Sequence, residues 1–163
     1  MKTLRISLMV CIMLGFAVSA NSQKNDKARP MKGTFYASVV ATNGAVETLS
    51  VTGNATHLGN FTGTMYFDKT FMVLNPTTHG IEIKGVRIFG TLVAANGDEI
   101  VFGPDDPGMV ITGAGPKGIM SGEVTLKPGS GRFANCSGVI VTTGIFDMGN
   151  DYAKWTARGT IIY

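Results

Sequence analysis

Residues 119–127, with the sequence IMSGEVTLK, alternate between polar and apolar side chains. One side of this segment carries Ser121, Glu123, Thr125 and Lys127, and the other carries Met120, Gly122, Val124 and Leu126. A repeat of two residues is typical of a β-strand with one buried face. The turn-forming residues Pro128-Gly129-Ser130-Gly131 follow at once. The segment therefore predicts a strand that ends in a turn.

Similar apolar and β-branched runs fill the chain from Met31 onward, and no window shows an apolar stripe at helical spacing. Asn43-Gly44 and Asn96-Gly97, two of the breaks between runs, are typical of type I′ hairpin turns. The pattern predicts an all-β domain of eight to ten antiparallel strands in a meander. The runs are residues 33–42, 46–55, 61–67, 71–74, 81–94, 99–102, 109–112, 119–127, 137–146 and 152–163.

Residues 81–94 are apolar on both sides of the predicted strand. A sheet with two apolar faces is closed or covered, which favours a barrel whose interior is filled or holds a ligand. The outer face of such a barrel can pack against another subunit, and an open sandwich is the alternative. We predict a single eight-stranded barrel over residues 32–163, preceded by a disordered spacer at residues 21–31.

The first 20 residues have the features of a cleavable secretory signal. Lys2 and Arg5 are followed by the apolar run 6–18, which is shorter than the roughly 20 apolar residues that span a bilayer. Small residues then precede a polar stretch, in Ala17-Val18-Ser19-Ala20. We expect cleavage after Ala20 and a periplasmic or extracellular location. An uncleaved N-terminal anchor is the alternative.

Removal of this leader changes the charge and the cysteine count. The loss of Lys2 and Arg5 leaves 12 Lys and Arg against 11 Asp and Glu, so the formal net charge falls from +3 to +1. No remaining segment is rich in Lys and Arg, which argues against nucleic acid as a partner. Cys136 is left without a second cysteine, and we expect it to be a small buried apolar residue.

Three stretches of the chain resemble exported bacterial proteins of the allene oxide cyclase barrel-like group, whose wider relatives include plant dirigent proteins. The resemblance covers roughly residues 53–163, and it implies an eight-stranded antiparallel barrel with an apolar lumen. It also implies that dimers or trimers are to be considered. The catalytic carboxylate and water-holding residues of the cyclase have no matching positions here, so no activity is carried over. The stretches are residues 53–63, 91–98 and 129–138.

The residues that could bind a metal are few. His57 and His79 lie in separate turn regions, without the paired spacing of zinc ligands. Asp105-Asp106 with Asp98-Glu99 is the one cluster of oxygen ligands, but acidic residues between Pro104 and Pro107 are ordinary turn formers. We predict no metal and no cofactor.

Three residues are candidates for contact with a ligand. His57 follows a strand end, where it could either stabilise the turn through a hydrogen bond or touch a ligand. Arg87 would be a buried cation if it faced the lumen, in need of a partner such as Glu123, and a solvated residue if it faced outward. No nucleophile elbow or phosphate-binding loop is present, so no catalytic residue is assigned.

These observations predict an exported β-barrel that either holds a small apolar molecule or serves as a structural or interaction module. The alternative is a cyclase or isomerase that folds an apolar substrate inside the barrel. That alternative requires His57, Arg87 or Glu123 to line an open cavity.

Overall fold

The computed structural model describes residues 27–78, 80–104, 109–114, 116–147 and 149–163, and these contain ten strands and no α-helix. The predicted leader, residues 1–20, lies outside the described residues, as do His79, Asp105 and Asp106. The strands are β1 (Arg29–Asn43), β2 (Val46–Ala55), β3 (Gly59–Asp68), β4 (Val73–Thr77), β5 (Gly80–Ala94), β6 (Glu99–Phe102), β7 (Met109–Ala114), β8 (Lys117–Lys127), β9 (Ser137–Asp147) and β10 (Tyr152–Ile162).

The strands form a closed antiparallel barrel, as predicted, with β1 paired to both β2 and β10. The long strand β5 closes the ring: its C-terminal half pairs with β3 and β6, and its N-terminal half pairs with β4 and β7. β6 and β7 both lie between β5 and β8, so they share one position of the ring. The barrel thus has eight positions. β4 continues the line of β3 and, within the described residues, is paired with β5 alone.

The interior of the barrel is apolar. In β8, Met120 and Val124 are buried whereas Ser121 and Glu123 are exposed, which confirms the faces predicted from the alternation. Aromatic rings stack inside the barrel. The ring centroids are 5.3 Å apart for Phe35 and Trp155, which are register partners on the adjacent strands β1 and β10, and 5.5 Å apart for Phe67 of β3 and Phe146 of β9. The Phe67–Phe146 pair joins strands that are not hydrogen-bonded to each other, so it ties distant parts of the sheet together.

One end of the barrel is closed by the connection between β8 and β9. A single 3₁₀ turn, Gly131–Phe133, inserts Phe133, which is fully buried together with Cys136. Leu58, in the turn between β2 and β3, is also buried and belongs to the same hydrophobic core as Phe133 and Cys136. These buried side chains cover this end of the barrel, which we call the closed end.

Some boundaries differ from the predicted ones. β1 begins at Arg29, within the predicted spacer, because its N-terminal residues pair with β10 as far as Ile161. β4 includes Asn75-Pro76, which lies beyond the end of the predicted run 71–74. Pro76 is tolerated there because β4 is an edge strand. The first hairpin is confirmed, but Gly44 and Ala45 are its central residues, with Gly44 at φ +59°. A glycine at the first central position is typical of a type II′ turn.

Candidate functional site

The barrel lumen contains a cavity of about 30 Å³. Aromatic and methionine side chains make up much of its lining, including Phe35, Phe102, Trp155, Met65, Met109 and Met120. A single water needs roughly 10–15 Å³ on this scale, whereas an engineered cavity that binds benzene measures about 150 Å³. The lumen is therefore filled by its own side chains.

Thr142 is the polar residue among those that line this cavity. It is buried, and its hydroxyl donates a hydrogen bond to the Gly122 carbonyl oxygen at 3.1 Å. The hydroxyl proton is thus already used within the sheet. No ionisable side chain is among the lining residues, so the lumen offers a ligand shape and dispersion contacts but no charge.

Arg87 lies on the outside of the barrel. Its neighbours Val86 and Ile88 are buried, and the alternation of β5 therefore turns Arg87 outward. Its guanidinium lies 5.9 Å from the centroid of the Phe71 ring. The carboxylate of Asp68, its register partner on β3, has a lowered pKa, first because Thr70 donates hydrogen bonds to it and further because of the Arg87 charge.

Glu123 also lies on the outside, exposed on β8. Its partner in register is Val141 of β9, and Val141 is in turn paired with Arg158 of β10. Glu123 is therefore part of an outward-facing row of the sheet. It has no contact with the lumen.

His57 lies at the closed end of the barrel, in the turn between β2 and β3. Its Nε2 is 3.1 Å from the Pro30 carbonyl oxygen, which can only accept, so the ring carries its proton on Nε2. In the neutral ring Nδ1 is then an acceptor, and the Tyr163 hydroxyl donates to it at 3.1 Å. The same hydroxyl oxygen accepts a hydrogen bond from Arg29 at 3.0 Å. His57 thus ties the turn to the first and last strands.

Arg132 extends this network from the 3₁₀ turn. It donates to the His57 carbonyl oxygen at 2.6 Å, and its Nε is 3.3 Å from a carboxylate oxygen of Asp98. Its guanidinium also lies 4.8 Å from the centroid of the Phe133 ring. The arrangement fixes the closed end. It leaves His57 with hydrogen-bond partners at both ring nitrogens.

The structure does not bring the three predicted site residues together. His57 is at the closed end, and Arg87 and Glu123 are on the outer faces of separate strands. None of them is among the residues that line the lumen cavity. Among the described residues, no group of three His, Cys, Asp or Glu side chains could hold a metal ion. The described part of the chain also has no helix long and apolar enough to cross a membrane.

The thiol of Cys136 is fully buried. Burial raises its pKa to about 11, because the thiolate would be deprived of water. The thiol is therefore protonated at neutral pH and shielded from reagents.

No family model, curated protein or solved structure matches this chain. The resemblance to the allene oxide cyclase barrel-like group remains a prediction from the sequence.

Sequence reasoning missed Tyr163, Arg29 and Arg132, the residues that hold His57. Tyr163 and Arg29 are separated by 134 positions and become neighbours because β1 pairs with β10. A prediction that the first and last strands are adjacent, as barrel closure requires, would have placed them at the same end of the sheet.

Proposed function

We propose that this chain is an exported, non-enzymatic barrel that acts as a structural or interaction module through its outer surface. The observation that carries this proposal is the filled lumen, with a cavity of only about 30 Å³. A ligand the size of benzene needs a space about five times larger. The outer face, in contrast, exposes several large apolar residues.

The cyclase alternative draws no support from these contacts. It required His57, Arg87 or Glu123 to line an open cavity, and all three lie elsewhere. A reaction in the lumen would need a group that moves a proton or stabilises a charge. Thr142, whose hydroxyl donates to the backbone, is the polar residue of that lining.

One feature favours a second candidate, the binding of a small apolar ligand within the lumen. Three methionines, Met65, Met109 and Met120, surround the cavity. Methionine side chains are flexible and can rearrange around a guest. A ligand would then bind only after these side chains had moved.

Titration with indole distinguishes a barrel with a filled lumen from one that binds a small apolar ligand. Wild-type protein is expected to show no saturable heat of binding and no rise in its unfolding temperature with indole. The Trp155→Ala variant, which vacates the space of one indole ring, is the matched control and is expected to bind indole and gain thermal stability. If this variant does not fold, Phe35→Ala titrated with benzene serves the same purpose. Saturable binding of either probe to the wild type would overturn the proposal and favour the ligand-binding candidate.

Export is part of the proposal, and it rests on the features of residues 1–20. N-terminal sequencing of the protein recovered from the periplasm or medium of a bacterial host is expected to start at Asn21. A protein that stays in the cytoplasm with Met1 or Lys2 at its N-terminus would contradict it.

A further inference from the structure

The outer face of β8 and β9 carries a cluster of exposed apolar residues, which we call the β9 patch. It consists of Ile119, Val139, Val141 and Ile145, whose side chains are 59%, 43%, 50% and 52% exposed. Ile119 and Ile145 are register partners, and the other two residues precede Ile145 on the same face of β9. Thr143 and its register partner Ser121 separate Val141 from the Ile119–Ile145 pair, so the patch consists of two apolar groups on one face. Single exposed apolar residues are ordinary, but four on one face of adjacent strands are a candidate interaction surface.

Two opposite charges flank this patch in one row. Glu123 on β8 and Arg158 on β10 are the register partners of Val141 from its two sides. Adjacent strands are about 4.8 Å apart, so these charges are separated by roughly 10 Å within one molecule. Neither residue forms a salt bridge with any described residue. The face thus has an acid on one side of the apolar row and a base on the other.

We infer that the β9 patch binds a second copy of this chain in a two-fold symmetric dimer, with the axis parallel to β9. A two-fold interface places the same patch on both copies. Rotation about an axis parallel to β9 lays β8 of one copy over β10 of the other. Val141 then faces the partner's Val141, and Glu123 faces the partner's Arg158, twice per dimer.

Charge favours this axis over a two-fold axis perpendicular to β9. An axis perpendicular to β9 through this row would place Glu123 on the partner's Glu123 and Arg158 on the partner's Arg158. Like charges juxtaposed in this way are repulsive, whereas the parallel axis gives two attractive pairs. The parallel axis also places Ile119 against the partner's Lys154, whose methylene chain can cover an apolar surface.

The inference deepens the proposed function and rests on it, because it names the partner of the outer surface. The proposed function and the dimer can be disproved separately. Indole binding by the wild type would overturn the proposed function whatever the assembly, whereas a monomer with a filled lumen would overturn the dimer alone.

A charge exchange tests the dimer in the chain that begins at Asn21. Sedimentation velocity over a range of concentrations is expected to show a monomer–dimer equilibrium for the wild type. Glu123→Arg and Arg158→Glu each place like charges in contact and are expected to weaken dimerisation at least about tenfold. The double variant, with both charges exchanged, restores the two pairs and is expected to recover the wild-type dissociation constant.

Replacement of an apolar residue by aspartate, with a matched control outside the patch, tests the patch itself. Val141→Asp places two carboxylates at the centre of the interface and is expected to yield a monomer. Val40→Asp, at a residue that is 62% exposed on β1 outside the patch, is the matched control and is expected to remain dimeric. A wild type that is monomeric at every concentration, a trimer, or a double variant that stays as weak as the single ones would overturn the inference.

Discussion

The Tyr163 hydroxyl and Nδ1 of His57 lie 3.1 Å apart, joining residues that are 106 positions apart in the chain. The hydroxyl donates to His57 while its oxygen accepts from Arg29. His57 in turn donates from Nε2 to the Pro30 carbonyl oxygen. Because each of these hydrogen bonds has a defined donor and acceptor, the loss of one side chain leaves another group without a partner.

Tyr163→Phe is expected to lower the free energy of unfolding by about 1 kcal/mol, the ordinary value for one partly buried hydrogen bond. The ring is retained, and so is its edge contact with Phe133, with centroids 4.9 Å apart. Urea denaturation measures the change. The control is Tyr36→Phe at an exposed tyrosine on β1, which should leave the midpoint unmoved. Equal effects of the two variants would contradict the role of the Tyr163 hydroxyl.

His57 has a φ of +71°, a conformation that costs non-glycine residues about 1–2 kcal/mol. His57→Gly and His57→Ala both lose the ring hydrogen bonds, but only glycine relieves the backbone. We therefore expect His57→Gly to be the more stable variant by about 1 kcal/mol in urea denaturation. At Thr52, an exposed position within β2, the order should be reversed, with alanine the more stable. The same order at both positions would refute the prediction.

The Cys136 thiol makes stability depend on pH in the alkaline range. Its pKa is about 11 in the folded protein and about 9 when the chain is unfolded. The unfolded chain therefore loses the proton first, and the stabilisation present below pH 9 is lost as the pH rises towards 11. The difference in unfolding free energy between wild type and Cys136→Ala should shrink over this range. A constant difference from pH 8 to pH 11 would exclude the effect.

Phe133→Ala is expected to cost about 3–5 kcal/mol, because it removes a fully buried ring that closes one end of the barrel. Phe71→Ala makes the same chemical change at a phenylalanine that is 61% exposed, and its cost should be below about 1 kcal/mol. Thermal and urea denaturation of both variants provide the measurement. A small cost for Phe133→Ala would show that the closed end repacks.

Asp147 has a lowered pKa, chiefly because Asn150 donates a hydrogen bond to its carboxylate at 3.0 Å, with Lys117 also contributing. Asn150→Ala is expected to raise this pKa, as followed by NMR titration. The stabilisation by Asp147, present above its unfolded pKa and lost as the pH falls through the folded value, should decrease too. Lys117→Ala should also raise this pKa, and an unchanged pKa in Asn150→Ala would contradict this assignment.

The strand pattern could be predicted from the sequence, but whether the Arg87 side chain faces the lumen or the outside could not. Residues 119–127 have a polar and an apolar side, so the buried face of β8 follows from the alternation alone. Residues 81–94 are apolar on both sides, so only the pairing of β5 with β3 and β6 decides which side faces inward. That pairing depends on ring closure, a property of the whole chain.

The size of the lumen is a second quantity that local pattern does not supply. It depends on how side chains from opposite strands meet, such as Phe67 of β3 against Phe146 of β9. The sequence predicts that these side chains are inside, but it does not predict whether they leave space between them. The hypothesis of a ligand-holding interior remained open for that reason.

Ring closure also determines how the native protein opens. A strand of the ring cannot separate without breaking hydrogen bonds to two neighbours, so its amide protons should exchange with solvent deuterium only in a cooperative, global event. β4, paired with β5 alone among the described strands, can detach by itself. In native-state hydrogen exchange, the amide protons of Val73, Leu74, Asn75 and Thr77 would therefore exchange long before those of β9 and β10. The ring of the barrel would exchange as one slow unit, and β4 would exchange quickly at its edge.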